Sequence, residues 1–210
     1  MVNITSHIKT KILEAEAIVI GCSAGGFTLL YELIVRLPGN FPLAVEVVIH
    51  RSRKYESTIE KVLTAKGSIP VKIAGDKQLL KPGKVYFAPA DYHLLLEPDY
   101  SFTLDFSEPL YFCRPSIDVT FQSVSDVMGK KVIGVLLSGA NEDGAVGIKY
   151  IGENGGLTVV QDPNEAEVDT MPKAAIKLSP VDLILKNDEI FNLLNEIHRI
   201  KIVNTNLNVS

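Results

Sequence analysis

Two cysteines, Cys22 and Cys113, are all that the 210 residues contain. That is too few for a disulfide scaffold or a four-cysteine metal site. Long hydrophobic runs are missing as well: none approaches the roughly 18 residues of a membrane span, so direct membrane insertion is not expected. Charge of one sign is lacking. The 21 Lys and Arg against 25 Asp and Glu leave a net −4, and that balance gives no reason to expect a nucleic-acid partner. The opening stretch shows no charged-then-apolar export pattern, which points to a cytoplasmic location. There is no internal repeat and no low-complexity segment. What remains is ordinary: 46% apolar and 22% charged residues, at a length that suits one α/β domain.

Apolar runs alternate with amphipathic segments, the pattern of β–α units around a largely parallel sheet. Strands are expected over residues 17–20, 44–49, 71–74, 85–88, 132–137, 157–161 and 181–185. Helices are expected over 27–37, 57–66, 116–128, 143–153, 172–178 (with Pro172 at its first position) and 188–202. Residues 94–97 and 102–106, flanking Pro98-Asp99-Tyr100-Ser101, read as a hairpin. The organisation expected is a leader at 1–16 able to form a short helix, a domain at 17–202, and a polar, frayed tail at 203–210.

Between the first strand and the first helix stands Gly21-Cys22-Ser23-Ala24-Gly25-Gly26. It contains G-x-S-x-G, the pattern of a nucleophile elbow. Glycines permit the tight turn, the turn lifts the Ser23 hydroxyl above the sheet, and the helix start offers N–H groups suited to an oxyanion. Taken alone the string is common. Ser23 also reads as a helix N-cap and the loop as a phosphate cradle. A dinucleotide fingerprint is set aside, because serine stands where its second glycine belongs and His50 where its acid belongs. His50 follows the second strand and Asp143 lies just beyond the strand at 132–137. Parallel strands would bring all three to one edge of the sheet. Asp143 also reads as an N-cap, and Glu142 competes as the acid. A serine, a histidine and a carboxylate meeting there would complete a hydrolase triad in the order Ser, His, Asp. His7, His93 and His198 suit that role less well.

These residues resemble the catalytic domain of chemotaxis protein-glutamate methylesterases of the CheB type, from Ala17 to about Ile197. Residues 21–26 resemble the family's GAS[TA]GG. Leu37-Pro38, Phe41-Pro42 and Val48-Ile49-His50 resemble its LP-x-x-FP and V-x-QH stretch. Pro82-Gly83, Ala88-Pro89 and His93 resemble PG-x-x-Y-x-AP-x-x-x-H, and Arg114-Pro115-Ser116-Ile117-Asp118 resembles RPSVD. Gly134 to Gly147 is similar to GV-x-LTGMG-x-DGA-x-G, and Gln161-Asp162 and Met171-Pro172 to the later AQD and MP-x-x-A motifs.

The resemblance implies a doubly wound α/β domain with a mostly parallel sheet. It implies a catalytic triad of Ser23, His50 and Asp143, selecting Asp143 over Glu142. Backbone N–H groups among Ala24, Gly25, Gly26 and Ala140 are the oxyanion candidates. His93 and Arg114 are candidates for the cleft wall, as readily read as structural. The implied activity is hydrolysis of glutamate γ-methyl esters, with glutamine deamidation, on the cytoplasmic region of chemoreceptors. No metal or organic cofactor is implied. Sixteen residues before Ala17 cannot hold the family's receiver domain, so a separate receiver or regulator protein is expected. Ala140 replaces the family's methionine, Ile49 its glutamine, and Arg51 its Met or Leu, while Val168-Asp169-Thr170 replace VFG. These changes keep two rivals open: an inactive regulatory module of the same fold, or an esterase or deamidase acting on another protein.

Overall fold

Residues 4–51 and 59–207 are described by the computed structural model. In chain order the elements are α1 (Ser6–Glu14), β1 (Ala17–Cys22), α2 (Phe27–Arg36), β2 (Ala44–Ile49), α3 (Ile59–Lys66), β3 (Val71–Ile73), β4 (Val85–Phe87), β5 (His93–Leu96) and β6 (Phe102–Asp105). There follow α4 (Ile117–Met128), a 3-10 turn at Gly129–Lys131, β7 (Val132–Leu136), α5 (Ala145–Glu153), β8 (Leu157–Gln161), α6 (Thr170–Leu178), β9 (Leu183–Leu185) and α7 (Asn187–Leu207). Seven strands form one sheet in the order β3-β4-β2-β1-β7-β8-β9. Every neighbouring pair in it is parallel. β5 and β6 form a separate antiparallel hairpin.

The central strands are apolar throughout because both faces of the sheet are covered. Successive residues point to opposite faces. Ile18, Ile20 and Cys22 enter one core layer with α1, α2 and α7, and Ala17 and Val19 enter the other, with α4, α5 and the hairpin. On α2, Leu29, Leu30, Leu33 and Ile34 form one buried stripe. Truncating one such fully buried leucine to alanine typically costs about 2–5 kcal/mol. α1 belongs to the same core layer: Ile8 and Ile12 are buried there, and Lys11 Nζ lies 2.8 Å from Asp182.

Several boundaries differ from the sequence expectation. β1 continues through Cys22, since Gly21 and Cys22 stay paired to β2. α6 starts at Thr170, which makes Pro172 its third residue; proline is tolerated anywhere in a first turn, where its missing N–H has no intrahelical partner. β9 is shorter than 181–185, and α7 runs past Ile202 to Leu207. Residues 57 and 58 of the expected third helix lie outside the described residues.

One residue breaks the apolar rule of the central strands. Glu46 shares a face of β2 with Ala44 and Val48, is 1% exposed, and neither carboxyl oxygen has a hydrogen-bond partner among the described residues. Burial pushes its acid up to about 8. Unfolded, it would titrate near 4.5. The uncharged form therefore stabilises the fold below about pH 4.5, and that contribution drains away as pH rises towards 8. Glu46→Gln should remove the drain, making the variant more stable than wild type at pH 8 by on the order of 4 kcal/mol, with little difference at pH 4.5. Urea denaturation at both pH values measures it, and a difference that does not change with pH would count against a neutral Glu46.

Candidate active site

β1 sits between β2 and β7, and the chain leaves it first towards β2 and only later returns on the other side through β7. Such a reversal opens a crevice at the carboxyl ends of the strands. Ser23 follows β1, His50 follows β2 and Asp143 follows β7, so all three reach that crevice. Ser23 Oγ lies 3.0 Å from His50 Nδ1, and His50 Nε2 lies 2.7 Å from Asp143 Oδ2.

The turn carrying Ser23 is held from below. Its N–H donates to the Ser138 carbonyl at 2.9 Å. Ser138 Oγ donates to the Ala24 carbonyl (2.8 Å) and accepts the Val168 N–H (2.9 Å). Gly25 has φ +75, and a Cβ there would lie 2.8 Å from Ser138 Oγ and 2.7 Å from Glu167 Cβ. Only glycine closes the turn without moving these neighbours. The N-cap of α2 is Gly26, not Ser23, which leaves the Ser23 hydroxyl free for His50. The Gly26 N–H is committed to the Ser23 carbonyl (3.0 Å). The N–H groups of Ala24, Gly25 and Ala140 have no acceptor among the described residues.

Asp143 is completely buried. Oδ1 accepts from Ser116 Oγ and the Asp118 N–H, and Oδ2 from the Ile117 N–H, all at 2.8 Å. Its carboxylate thus occupies the N-terminus of α4, where free N–H groups and the helix dipole favour a negative charge. It does not cap its own helix, since the N-cap of α5 is Gly144. Asp118, in the first turn of α4, returns the favour: its Oδ1 accepts from the N–H groups of Gly144 (2.8 Å) and Gly147 (2.7 Å) at the start of α5. Burial pushes the Asp118 acid up to about 6, with the Asp143 charge adding to the rise. Gly144, at φ +97, lets the chain turn from Asp143 into α5 where a Cβ would lie 2.4 Å from Leu136 Cδ1 and 2.8 Å from Ile117 Cγ2.

Asp143 Oδ2 accepts hydrogen bonds only, so His50 Nε2 carries a proton and Nδ1 presents its lone pair to the Ser23 hydroxyl. Ser23 is half-buried and Ala24 exposed, so the serine end of the chain of hydrogen bonds opens to solvent while the carboxylate end is sealed. His50 opens onto a cleft of about 500 Å³, lined also by Arg51, Asp91, Pro109, Phe112, Cys113 and Arg114. Arg114 is thus a wall residue. Its guanidinium bonds Asp91 Oδ1 (2.9 Å) and the carbonyls of Phe106 and Ser107.

His93 is not in the cleft. It is 1% exposed, behind Ser116. Its Nδ1 accepts the Ser116 N–H at 3.1 Å and its Nε2 donates to the Glu108 carbonyl at 3.1 Å. A polar ring at the start of a hairpin strand gives no sign in sequence of whether it faces solvent or a buried N–H. Glu142 is exposed, and the carboxylate that His50 meets is that of Asp143. Cys22 is fully buried, which pushes its thiol up to about 12 and leaves it an inert packing residue. No cluster of three or more His, Cys, Asp or Glu among the described residues could hold a metal ion. No helix among them is long and apolar enough to cross a membrane.

Sequence reasoning missed Ser116, Asp118 and Ser138. A serine followed by the apolar-periodic run Ile117–Met128 is a helix N-cap signature, and its Oγ does lie 3.4 Å from the Val119 N–H. That a second aspartate would use the same helix end could not be read, because the partners are 25 to 29 residues apart.

Residues 18–194 match the family described as CheB methylesterase. A protein of Leptospira interrogans, provisionally named a protein-glutamate methylesterase/protein-glutamine glutaminase, is 44% identical over 86% of this chain and 94% of its own length. A Methanospirillum hungatei protein named protein-glutamate methylesterase/protein-glutamine glutaminase 2 is 38% identical over 79% of this chain, which spans about half of that protein (47%). The crystal structure of the Thermotoga maritima CheB methylesterase catalytic domain superposes with a TM-score of 0.82 at 33% identity, covering 87% of this chain and 98% of that one.

Proposed function

Because this chain belongs to the CheB methylesterase family, we propose that it is a serine carboxylesterase that hydrolyses glutamate γ-methyl esters on the cytoplasmic region of chemoreceptors. The observation that carries the reading is the continuous line of hydrogen bonds from Ser23 Oγ through His50 to Asp143. His50 Nδ1 takes the hydroxyl proton as Ser23 Oγ attacks the ester carbonyl. The imidazolium that forms is balanced by Asp143, whose charge is fixed by three further donors. The tetrahedral oxyanion is held by N–H groups at Ala24, Gly25 and Ala140, which have no acceptor of their own. Gly26 drops out of that set because its N–H is already spent. His50 then gives its proton to the methoxide oxygen, methanol leaves, and water repeats the sequence on the acyl-serine to release the glutamate carboxylate.

Alanine at position 140 keeps the backbone N–H that methionine would supply, so its replacement does not remove the oxyanion contact. Glutamine deamidation uses the same attack with ammonia leaving. Incubating the protein with a methylated receptor fragment and, separately, with a fluorophosphonate tests the proposal. Methanol release and covalent labelling of Ser23 are expected; a protein inert to both would be a regulatory module instead.

The hydrogen bond from the Ser116 N–H to His93 makes His93 a positioning residue for Asp143, acting through Ser116. His93→Leu should lower kcat by about 10²-fold, since small displacements of a catalytic group cost this much. His93→Asn, whose Oδ1 offers the same acceptor, should recover most of it. Rates taken where all three proteins are fully folded by circular dichroism decide the matter, and equal rates for Leu and Asn would refute the role.

A further inference from the structure

Apolar side chains that stand in solvent gather at one lip of the cleft. Tyr92, Phe106, Leu110, Tyr111 and Phe112 are all exposed, and Phe112 is 103% exposed, as bare as a side chain can be. The lip is not a loose loop. Leu110 and Cys113 exchange both backbone hydrogen bonds (3.2 and 2.8 Å), closing a four-residue turn with Tyr111 and Phe112 at its tip. Both tip residues sit at positive φ, 49 and 61, a conformation bulky side chains rarely adopt. The segment leading to the turn is tied down by Arg114, which bonds the Phe106 and Ser107 carbonyls and stacks 3.7 Å over the Phe106 ring. His93 holds the Glu108 carbonyl. A braced turn that presents an aromatic ring to water serves no packing among the described residues.

The tip also stands between two hollows. Phe112 lines the cleft that contains His50. Tyr111 lines a groove of about 270 Å³ between α5 and α6, whose walls include the exposed Val146 and Leu178. The tip therefore joins a groove with the apolar walls Val146 and Leu178 to the mouth of the cleft that holds His50, whose other walls include Arg51, Asp91 and Arg114. Exposed apolar patches of this kind mark sites of protein contact. Continuity with the cleft says which protein. A polypeptide whose side-chain ester enters the cleft beside His50 passes Phe112, and a glutamate γ-methyl ester is itself uncharged, so its neighbourhood on the substrate can rest on apolar surface.

We propose that the Tyr111–Phe112 tip is the anchor for the protein substrate: Phe112 packs against an apolar side chain on the polypeptide segment that carries the ester to Ser23, and so selects a methylated protein over a free ester. The proposal rests on the esterase reading above.

The test compares wild type, Phe112→Ala and Phe112→Tyr on two substrates, a methylated receptor cytoplasmic fragment and N-acetylglutamate γ-methyl ester, by methanol release. For Phe112→Ala the ratio of kcat/KM for the fragment to that for the free ester should fall about tenfold or more, carried by KM, as for an anchor aromatic at an interface. Phe112→Tyr should restore it. A ratio that stays within twofold of wild type, or a parallel loss on both substrates, overturns the proposal. Binding of the fragment to Ser23→Ala, with and without Phe112→Ala, gives a readout that needs no turnover: about tenfold weaker binding is expected, and equal affinity or no binding by either protein overturns the anchor. Absence of methanol from both substrates with wild type would sink the esterase reading instead, while the binding pair still decides the anchor.

Discussion

Alanine at position 23 should cut methanol release from a methylated protein by about 10⁴-fold or more while leaving the fold intact. The size follows from what the hydroxyl does. In the proposed mechanism it is the atom that bonds to the ester carbonyl, and neither thiol replaces it: Cys22 is buried and points into the core layer shared with α2, and burial raises the Cys113 thiol in the cleft. The harmlessness to the fold follows from how little the hydroxyl holds. Ser23 is half-buried, and among the described residues its side chain's one hydrogen-bond partner is His50. The backbone of the turn is fixed by other atoms, namely its own N–H on Ser138 and the glycines that follow. Rates measured beside a thermal melt settle it. Activity within tenfold of wild type, from a protein with an unchanged melting temperature, would mean that another group attacks.

Asp143→Asn should be nearly as damaging to rate, by about 10³–10⁴-fold in kcat, and unlike Ser23→Ala it should also destabilise the fold by about 1–3 kcal/mol. Four donors converge on this carboxylate. An amide can offer an oxygen to only two of them. With its NH2 towards Oδ2, the Ile117 N–H loses its acceptor, and His50 can answer only by turning Nε2 into an acceptor. The proton then sits on Nδ1, facing Ser23, and the ring no longer takes the hydroxyl proton. With its NH2 towards Oδ1, the Asp118 N–H is stranded at a buried helix end. Either orientation leaves one backbone N–H unpaired, which is the source of the stability loss. Urea denaturation and steady-state kinetics on the same preparation test both halves. A variant as stable as wild type would show that the carboxylate is not fixed by α4.

Much of the site could be read from the chain because its parts are local. The glycines around Ser23, the apolar strands before Ser23, His50 and Asp143, and the order of those strands are all short-range signals. Parallel pairing then forces the three ends to one edge. What could not be read depends on contacts between distant segments. His93 was a cleft candidate, yet it turns inward, because the hairpin strand that begins with it packs on α4 and offers its ring to the Ser116 N–H. Helix α5 was expected to begin at Asp143. It begins at Ala145, since Asp143 is drawn out of its own helix by the donors of α4. Glu46 left no trace in sequence beyond one acid in an apolar strand, and its lack of a partner is a property of the packed layer.

The exchange between Asp143 and Asp118 ties the first turns of α4 and α5 to each other. Neither helix end can loosen without stripping the other of its acceptor, so the pair opens together or not at all. The oxygen that steadies His50 belongs to this crossed knot. Heat or denaturant that frees either end would therefore silence the enzyme in the same event, and loss of catalysis would track melting of this corner of the molecule rather than precede it.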